Sequence, residues 1–269
     1  MENQFSELKQ ELKIRRNSQR TIKTYTYFNE KFLLFCKKEA QKVQEKDVKD
    51  YLEYLVDKDL SGDTIRLAYN SLKFYYDQIL RKDFMERVKI PKRDYKVTVG
   101  LTKEEVNKLI SGVNNLKHRL LLELIYGSGL RASEAVNVRA KDVLIDEKTV
   151  VVKAAKGRKE RKTILSERFI EDYKKIKNKD SYLFPGRTGH LSTRSVQQVI
   201  KQATKRVGVQ KRTYPHLLRH AFATHLFENN IRTRHIQQLL GHKDKKTTER
   251  YIQTQNKEVL SIKSPRDLA

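Results

Sequence analysis

Four stretches of the chain hold side chains able to grip a phosphate or move a proton. The densest is Tyr214-Pro215-His216-Leu217-Leu218-Arg219-His220. Thr213 as a cap and Pro215 in the first turn, where its missing N–H costs nothing, predict a helix start here. His216, Arg219 and His220 then stand at i, i+3 and i+4 and project from one helical face. A guanidinium can fork onto two non-bridging phosphate oxygens, and an imidazole beside it can donate or shuttle a proton. The same trio also fits a buried polar face or a surface basic cluster.

The second stretch is Gly127-Ser128-Gly129-Leu130-Arg131-Ala132-Ser133-Glu134. Its glycines allow a sharp turn into a helix that starts near Arg131, and Glu134 can orient Arg131 or a histidine. The glycine spacing is not that of a dinucleotide site, and a helix rather than a strand precedes it. In the third, Leu239-Leu240-Gly241-His242, Gly241 closes a helix running from about Arg232. Thr247-Thr248 can cap the next helix, which carries Tyr251 back toward His242. Tyr251 is one of thirteen tyrosines, and most of the others, Tyr75 and Tyr76 among them, read as packing. The fourth is Lys156, in the Lys156-Gly157-Arg158 turn of a hairpin, an exposed tip suited to entering a groove or simply to solvation.

The elements that must position these residues predict a mainly α protein with a small antiparallel β-sheet, an α+β fold. Residues 1–88 read as a four-helix bundle. Its apolar positions are Phe5, Leu8 and Leu12, then Ile22, Tyr25, Phe28, Phe32 and Phe35 after a cap at Asn17 or Ser18. Val48, Tyr51, Leu52 and Leu55 line the third helix; Ile65, Leu72, Tyr75, Tyr76 and Ile79 line the fourth, capped by Ser61. Residues 89–99, with one proline and no periodicity, read as a basic linker. Residues 100–269 form the second segment, opened by a Thr102-x-x-Glu105 capping box. Residues 143–145, 149–154 and 161–165 predict a three-stranded antiparallel sheet. Everything after Ser166 reads as helix with breaks.

Lys and Arg outnumber Asp and Glu by 58 to 33, a formal charge of +25, so a polyanionic partner is the natural explanation. No apolar run reaches the ~20 residues of a membrane span, and no signal segment opens the chain. The lone cysteine, Cys36, excludes an internal disulfide and reads as a packing residue; a cytosolic setting follows by default. No nucleotide-binding loop, His-Glu-x-x-His or other metal pattern is present, so neither cofactor nor metal is expected.

In this order, Gly129-Leu130-Arg131-Ala132-Ser133-Glu134, Lys156-Gly157, His216-Leu217-Leu218-Arg219-His220, Leu240-Gly241-His242 and Tyr251 resemble the tyrosine recombinases, most closely the Xer-type subgroup. The string at 216–226, His-Leu-Leu-Arg-His-Ala-Phe-Ala-Thr-His-Leu, is highly specific. The resemblance spans about residues 100–255; the N-terminal helices match the family's core-binding domain more loosely. It implies that Tyr251 attacks a DNA phosphate, leaving a 3′-phosphotyrosyl bond and a free 5′-hydroxyl. Arg131, Arg219 and His242 would hold the non-bridging oxygens, Lys156 would protonate the leaving oxygen, and His216 would assist proton movement. Glu134 and His220 would support the site. Ala155 stands where the family often has glycine, which leaves Lys153 and Lys159 as neighbouring alternatives to Lys156.

Double-stranded DNA is therefore the expected partner. The helix opened by Ser192, with Arg194, Gln197, Gln198 and Lys201 outward, is a base-reading or phosphate-contacting element. Thr64 and Arg66 are its counterparts in the N-terminal bundle, the two segments clamping a duplex. The apolar tail Val259-Leu260-Ser261-Ile262 resembles the segment by which the family docks neighbouring protomers, implying a homotetramer on two DNA sites; a frayed terminus is the alternative. The expected function is Xer-type resolution of chromosome or plasmid dimers. A mobile-element integrase, a type IB topoisomerase-like enzyme and a non-catalytic DNA-binding protein are the alternatives.

Overall fold

Ser18, Ser61, Thr102, Ser166 and Ser192 each accept a backbone N–H three residues on, and each opens a helix. This computed structural model describes residues 5–90, 100–153, 160–176, 182–187, 189–241 and 263–267. The chain forms two compact units, Met1–Val97 and Thr98–Ala269.

The first unit packs α1 (Ser6–Ile14), α2 (Gln19–Cys36), α3 (Glu45–Asp57) and α4 (Gly62–Lys73). Leu8, Leu12, Phe32, Val48, Leu72 and Tyr76 are inaccessible or nearly so. Burial of such side chains stabilises by about 1.5–3 kcal/mol each. The fourth helix does not stay α-helical through Ile79: Phe74–Ile79 widens into a π-helical turn. The wider turn lets adjacent tyrosines reach different neighbours, Tyr75 against Phe5 and Tyr76 against Phe32 and Phe84. Phe35 is not a core residue but a rim one, 37% exposed and leaning on Tyr51 and Tyr54; Leu33 takes the buried position. Cys36 is half-buried, and burial raises its thiol pKa, which disfavours the thiolate.

The second unit is built around α6 (Leu116–Gly127), whose Leu120, Leu121, Leu122, Leu124 and Ile125 are all inaccessible. A helix apolar on every side must be surrounded. It is enclosed by α5 (Lys103–Ser111), α8 (Glu167–Lys174), α9 (Thr193–Val207) and α10 (Pro215–Glu228). The short α7 (Ala132–Ala135) follows α6, and α11 (Thr233–Leu240) follows α10. Strands β1 (Val143–Leu144), β2 (Thr149–Val152) and β3 (Arg161–Ile164) form an antiparallel sheet in that order. Val150 pairs with Val143 and Thr163, and Val152 with Arg161.

The region after Ser166 is not wholly helical. Pro185–Gly186 (β4) and Gly189–His190 (β5) form a two-stranded ribbon. A Cβ on Gly186 would stand 2.5 Å from the His190 carbonyl oxygen, so the close approach of the strands requires glycine there. Thr213 does not cap α10. Its hydroxyl donates to the Lys211 carbonyl, and Tyr214 occupies the cap position without a side-chain bond. Pro215 does sit in the first turn.

Candidate active site

Arg219 is 2% exposed, although it belongs to a cationic residue type that is costly to bury. Its guanidinium is held by acceptors from three places. Nη1 donates to Gly129 O at 2.6 Å and to Glu134 Oε2 at 3.4 Å, and Nη2 to Leu240 O at 2.6 Å. The flanking residues on α10 differ from it. His216 and His220 are exposed, so the trio lies along one side of the helix with its centre buried and its ends at the rim. His220 Nδ1 lies 3.0 Å from Thr224 Oγ1. Partial desolvation on the side facing the protein holds His216 below the ordinary imidazole pKa, followed by the charges of Arg219, His220 and Arg131.

Arg131 caps α7. Glu134, three residues on, accepts the Arg131 backbone N–H through Oε2 and the Arg131 Nη1 through Oε1, each at 2.9 Å. Between its two possible partners the carboxylate therefore takes the arginine, not a histidine. It also accepts from Arg161, Nη1 to Oε1 at 3.0 Å and Nη2 to Oε2 at 2.8 Å. Burial opposes ionisation of Glu134, yet hydrogen bonds from Arg161 and Arg131 outweigh it and bring the pKa down to about 2. One carboxylate thus gathers three guanidiniums, and the site keeps a net positive charge suited to a phosphate diester.

The turn into α7 needs its glycine. Gly129 has φ +62°, and a Cβ there would lie 2.6 Å from the buried Phe222 ring. The three carbonyls leading into the turn are each held by a different element. Ser264 Oγ donates to Gly127 O at 2.8 Å, Thr163 Oγ1 to Ser128 O at 3.0 Å, and Arg219 to Gly129 O. Thr163 and Arg161, two apart on β3, reach the same side of the sheet.

Arg161 and the C-terminal segment lay outside the expected site. Strand alternation alone pairs Arg161 with Glu134, and no local motif marks it. Ser264 and Arg266 bring Lys263–Asp267 against their own unit. Arg266 donates to both oxygens of Glu123, at 3.0 and 2.9 Å through Nε, and to Asn107. Both side chains of the Arg266–Glu123 pair are 3% exposed. A carboxylate inside Leu121-Leu122-Glu123-Leu124-Ile125 was the available signal, because a buried charge demands a partner. A second buried pair, also unforeseen, joins Tyr126 Oη to His225 Nδ1 at 2.9 Å, with His225 Nε2 donating to Leu101 O.

Lys156, His242 and Tyr251 lie outside the described residues, as do Val259–Ile262 and Thr247-Thr248. The structure brings Arg131, Glu134 and Arg219 together, with His216 near the arginines. Lys153, one alternative to Lys156, is paired with Asp142 at 2.9 Å. On α9, capped by Ser192, the residues Arg194, Gln197, Gln198 and Lys201 are exposed, while Val196, Val199 and Ile200 are buried. Thr64 and Arg66 are only partly exposed, and the Thr64 hydroxyl shares a hydrogen bond with the Ser61 cap at 2.8 Å. No helix among the described residues is long and apolar enough to cross a membrane.

Residues 100–258 match the phage integrase family, and residues 5–86 match the phage integrase N-terminal SAM-like domain. A tyrosine recombinase of Thermosipho africanus is 31% identical over 261 residues, covering 91% of this chain and 92% of its own. Tyrosine recombinase XerA of Pyrococcus horikoshii is 35% identical over 259 residues, covering 91% and 87%. In fold, a lambda integrase dimer bound to a core site superposes with TM-score 0.74 at 18% identity, over 90% of this chain and 95% of the other. The crystal structure of XerA recombinase aligns over 89% of each chain at 26% identity and TM-score 0.50. The chain belongs to the phage integrase family and is a tyrosine recombinase, an enzyme that cleaves and rejoins DNA strands.

Proposed function

We propose that the chain is a site-specific recombinase of the Xer type that resolves chromosome or plasmid dimers in the cytoplasm. The observation that carries the reading is the arginine cluster on Glu134, with His216 at its rim. Arg131 and Arg219 hold the non-bridging oxygens of the scissile phosphate, and His242 joins them. Fixed cationic donors stabilise charge as it builds, and removing one costs roughly 3–4 kcal/mol of barrier by analogy with other oxyanion sites. Tyr251 attacks phosphorus, forming the 3′-phosphotyrosyl bond as the bond to the 5′-oxygen breaks. His216, kept neutral near pH 7 by its lowered pKa, is able to take up the tyrosine proton. Lys156 returns a proton to the leaving 5′-oxygen; the Lys153–Asp142 pair favours it over Lys153. The phosphotyrosyl bond conserves the energy of the diester, so rejoining needs no nucleotide and no metal.

Residues 1–88 form the core-binding domain, 89–99 the linker and 100–269 the catalytic domain. The exposed stripe of α9, Arg194, Gln197, Gln198 and Lys201, contacts the duplex, assisted by Thr64 and Arg66. Four copies assemble on two sites through the Val259–Ile262 part of the C-terminal tail, while Lys263–Asp267 stays on its own unit. Similarity to XerA of Pyrococcus horikoshii and XerC of Staphylococcus carnosus, at 35% and 31% identity, supports the Xer-type role. The test begins by selecting bound DNA and mapping the covalent cleavage positions. A nicked suicide duplex carrying the recovered site then traps an adduct in the parent and none in Tyr251→Phe. An adduct that persists in that variant removes Tyr251 as nucleophile.

A further inference from the structure

Arg161 makes more of the site's contacts than its place on a strand suggests. Its Nη1 and Nη2 take both oxygens of Glu134, at 3.0 and 2.8 Å, and its Nε donates to Leu239 O at 3.0 Å. The side chain is only 16% exposed. Its aliphatic part lies along Gly241, where a Cβ would stand 2.8 Å from Arg161 Cδ. Gly241 is in the left-handed region at φ +64°, so conformation and contact both call for glycine there.

Two consequences follow. First, the last carbonyls of α11 are satisfied by arginines, Leu239 O by Arg161 and Leu240 O by Arg219. Helix C-termini carry unpaired carbonyls and partial negative charge, and cations there are favourable. The chain leaves this capped end one residue before His242. Second, the fork from Arg161 fills the carboxylate in bidentate geometry, whereas Arg131 reaches Glu134 through a single side-chain nitrogen. Glu134 is thereby fixed without using up Arg131's other donors.

We propose that Arg161 is a positioning residue for strand cleavage. It sets Glu134, and through it Arg131, while pinning the end of α11 from which the chain runs to His242 and Tyr251. The proposal rests on reading Arg131 and Arg219 as the phosphate clamp. Lysine cannot replace Arg161, because one ammonium cannot span a bidentate carboxylate and a carbonyl on a separate helix.

The test uses the full-length protein and the nicked suicide duplex carrying the selected site. Arg161→Lys and Arg161→Ala should bind that duplex with parental affinity and stay folded at the assay temperature, although losing a partner of Glu134 lowers the melting temperature. Their cleavage rates should fall by roughly 100-fold, the scale of an ångström-sized misplacement. Guanidinium ion at low millimolar concentration should restore part of the rate to Arg161→Ala and leave the parent unchanged. Parental cleavage by Arg161→Lys, or proportional loss of binding and cleavage without rescue, overturns the proposal. Arg131→Ala separates the two readings. If it cleaves normally, the clamp itself is misassigned; if it is inactive while both Arg161 variants cleave normally, only the role of Arg161 fails.

Discussion

Glu134 shows how one carboxylate can organise a cationic site. Three guanidiniums would repel one another at this range, and the carboxylate between them replaces much of that repulsion with charge-assisted hydrogen bonds. Its side chain is 13% exposed, so solvent screens the group weakly. The folded pKa lies below the ordinary carboxylate value, at about 2. The ionised form therefore contributes stability that is complete above the ordinary carboxylate range and is lost as pH falls toward the folded value. Glu134→Gln should lower stability at pH 7 by about 3 kcal/mol, the low end for removing one partner of a buried ion pair, since glutamine keeps one acceptor oxygen. It should also flatten the dependence of the urea midpoint on pH between about 5 and 3, where acid protonates paired carboxylates. An unchanged slope over that range would show that other carboxylates set the acid response. Arg131, Glu134 and Arg219 were legible because each sits in a short local pattern, a glycine turn or a helix start. Arg161 was not, because its partner lies 27 residues upstream and strand pairing alone decides which way it faces.

At the level of elements, helix ends carry the site. Arg131 stands at the start of α7, Leu239 and Leu240 at the end of α11, and Gly241 just beyond. Gly241→Ala should cost about 1–2 kcal/mol from the left-handed backbone alone. The added methyl must also displace Arg161, so the cleavage rate should fall more steeply than the melting temperature. Loss of stability with full cleavage activity would mean that this helix end does not govern the chemistry. The main helices and the three-stranded sheet were readable from caps and apolar spacing. The β4–β5 ribbon was not, since its strands are Pro-Gly and Gly-His pairs with no β-branched residue and no alternation. The π-helical turn at Phe74–Ile79 was missed because an aromatic run keeps a helical period while tertiary packing widens it.

For the molecule as a whole, the +25 charge acts at a distance, and in the proposed reading the exposed face of α9 acts on contact. Binding to a duplex should weaken steeply with salt as condensed counterions are released. Arg194→Ala and Lys201→Ala should each lower the slope of log affinity against log salt by about 1. Gln197→Ala and Gln198→Ala should leave the slope unchanged and alter sequence preference. A slope indifferent to both cations would take α9 off the DNA. The buried Arg266–Glu123 contact, 143 residues apart in the chain, could not be paired from the sequence. It has a mechanical counterpart in the three carbonyls before Arg131, which the tail, the sheet and α10 each hold at one point. Three supports fix the tilt of a plate, and two leave it a hinge. Ser264, the support nearest the chain end, therefore decides whether the platform beneath Arg131 is a rigid mount or a rocker.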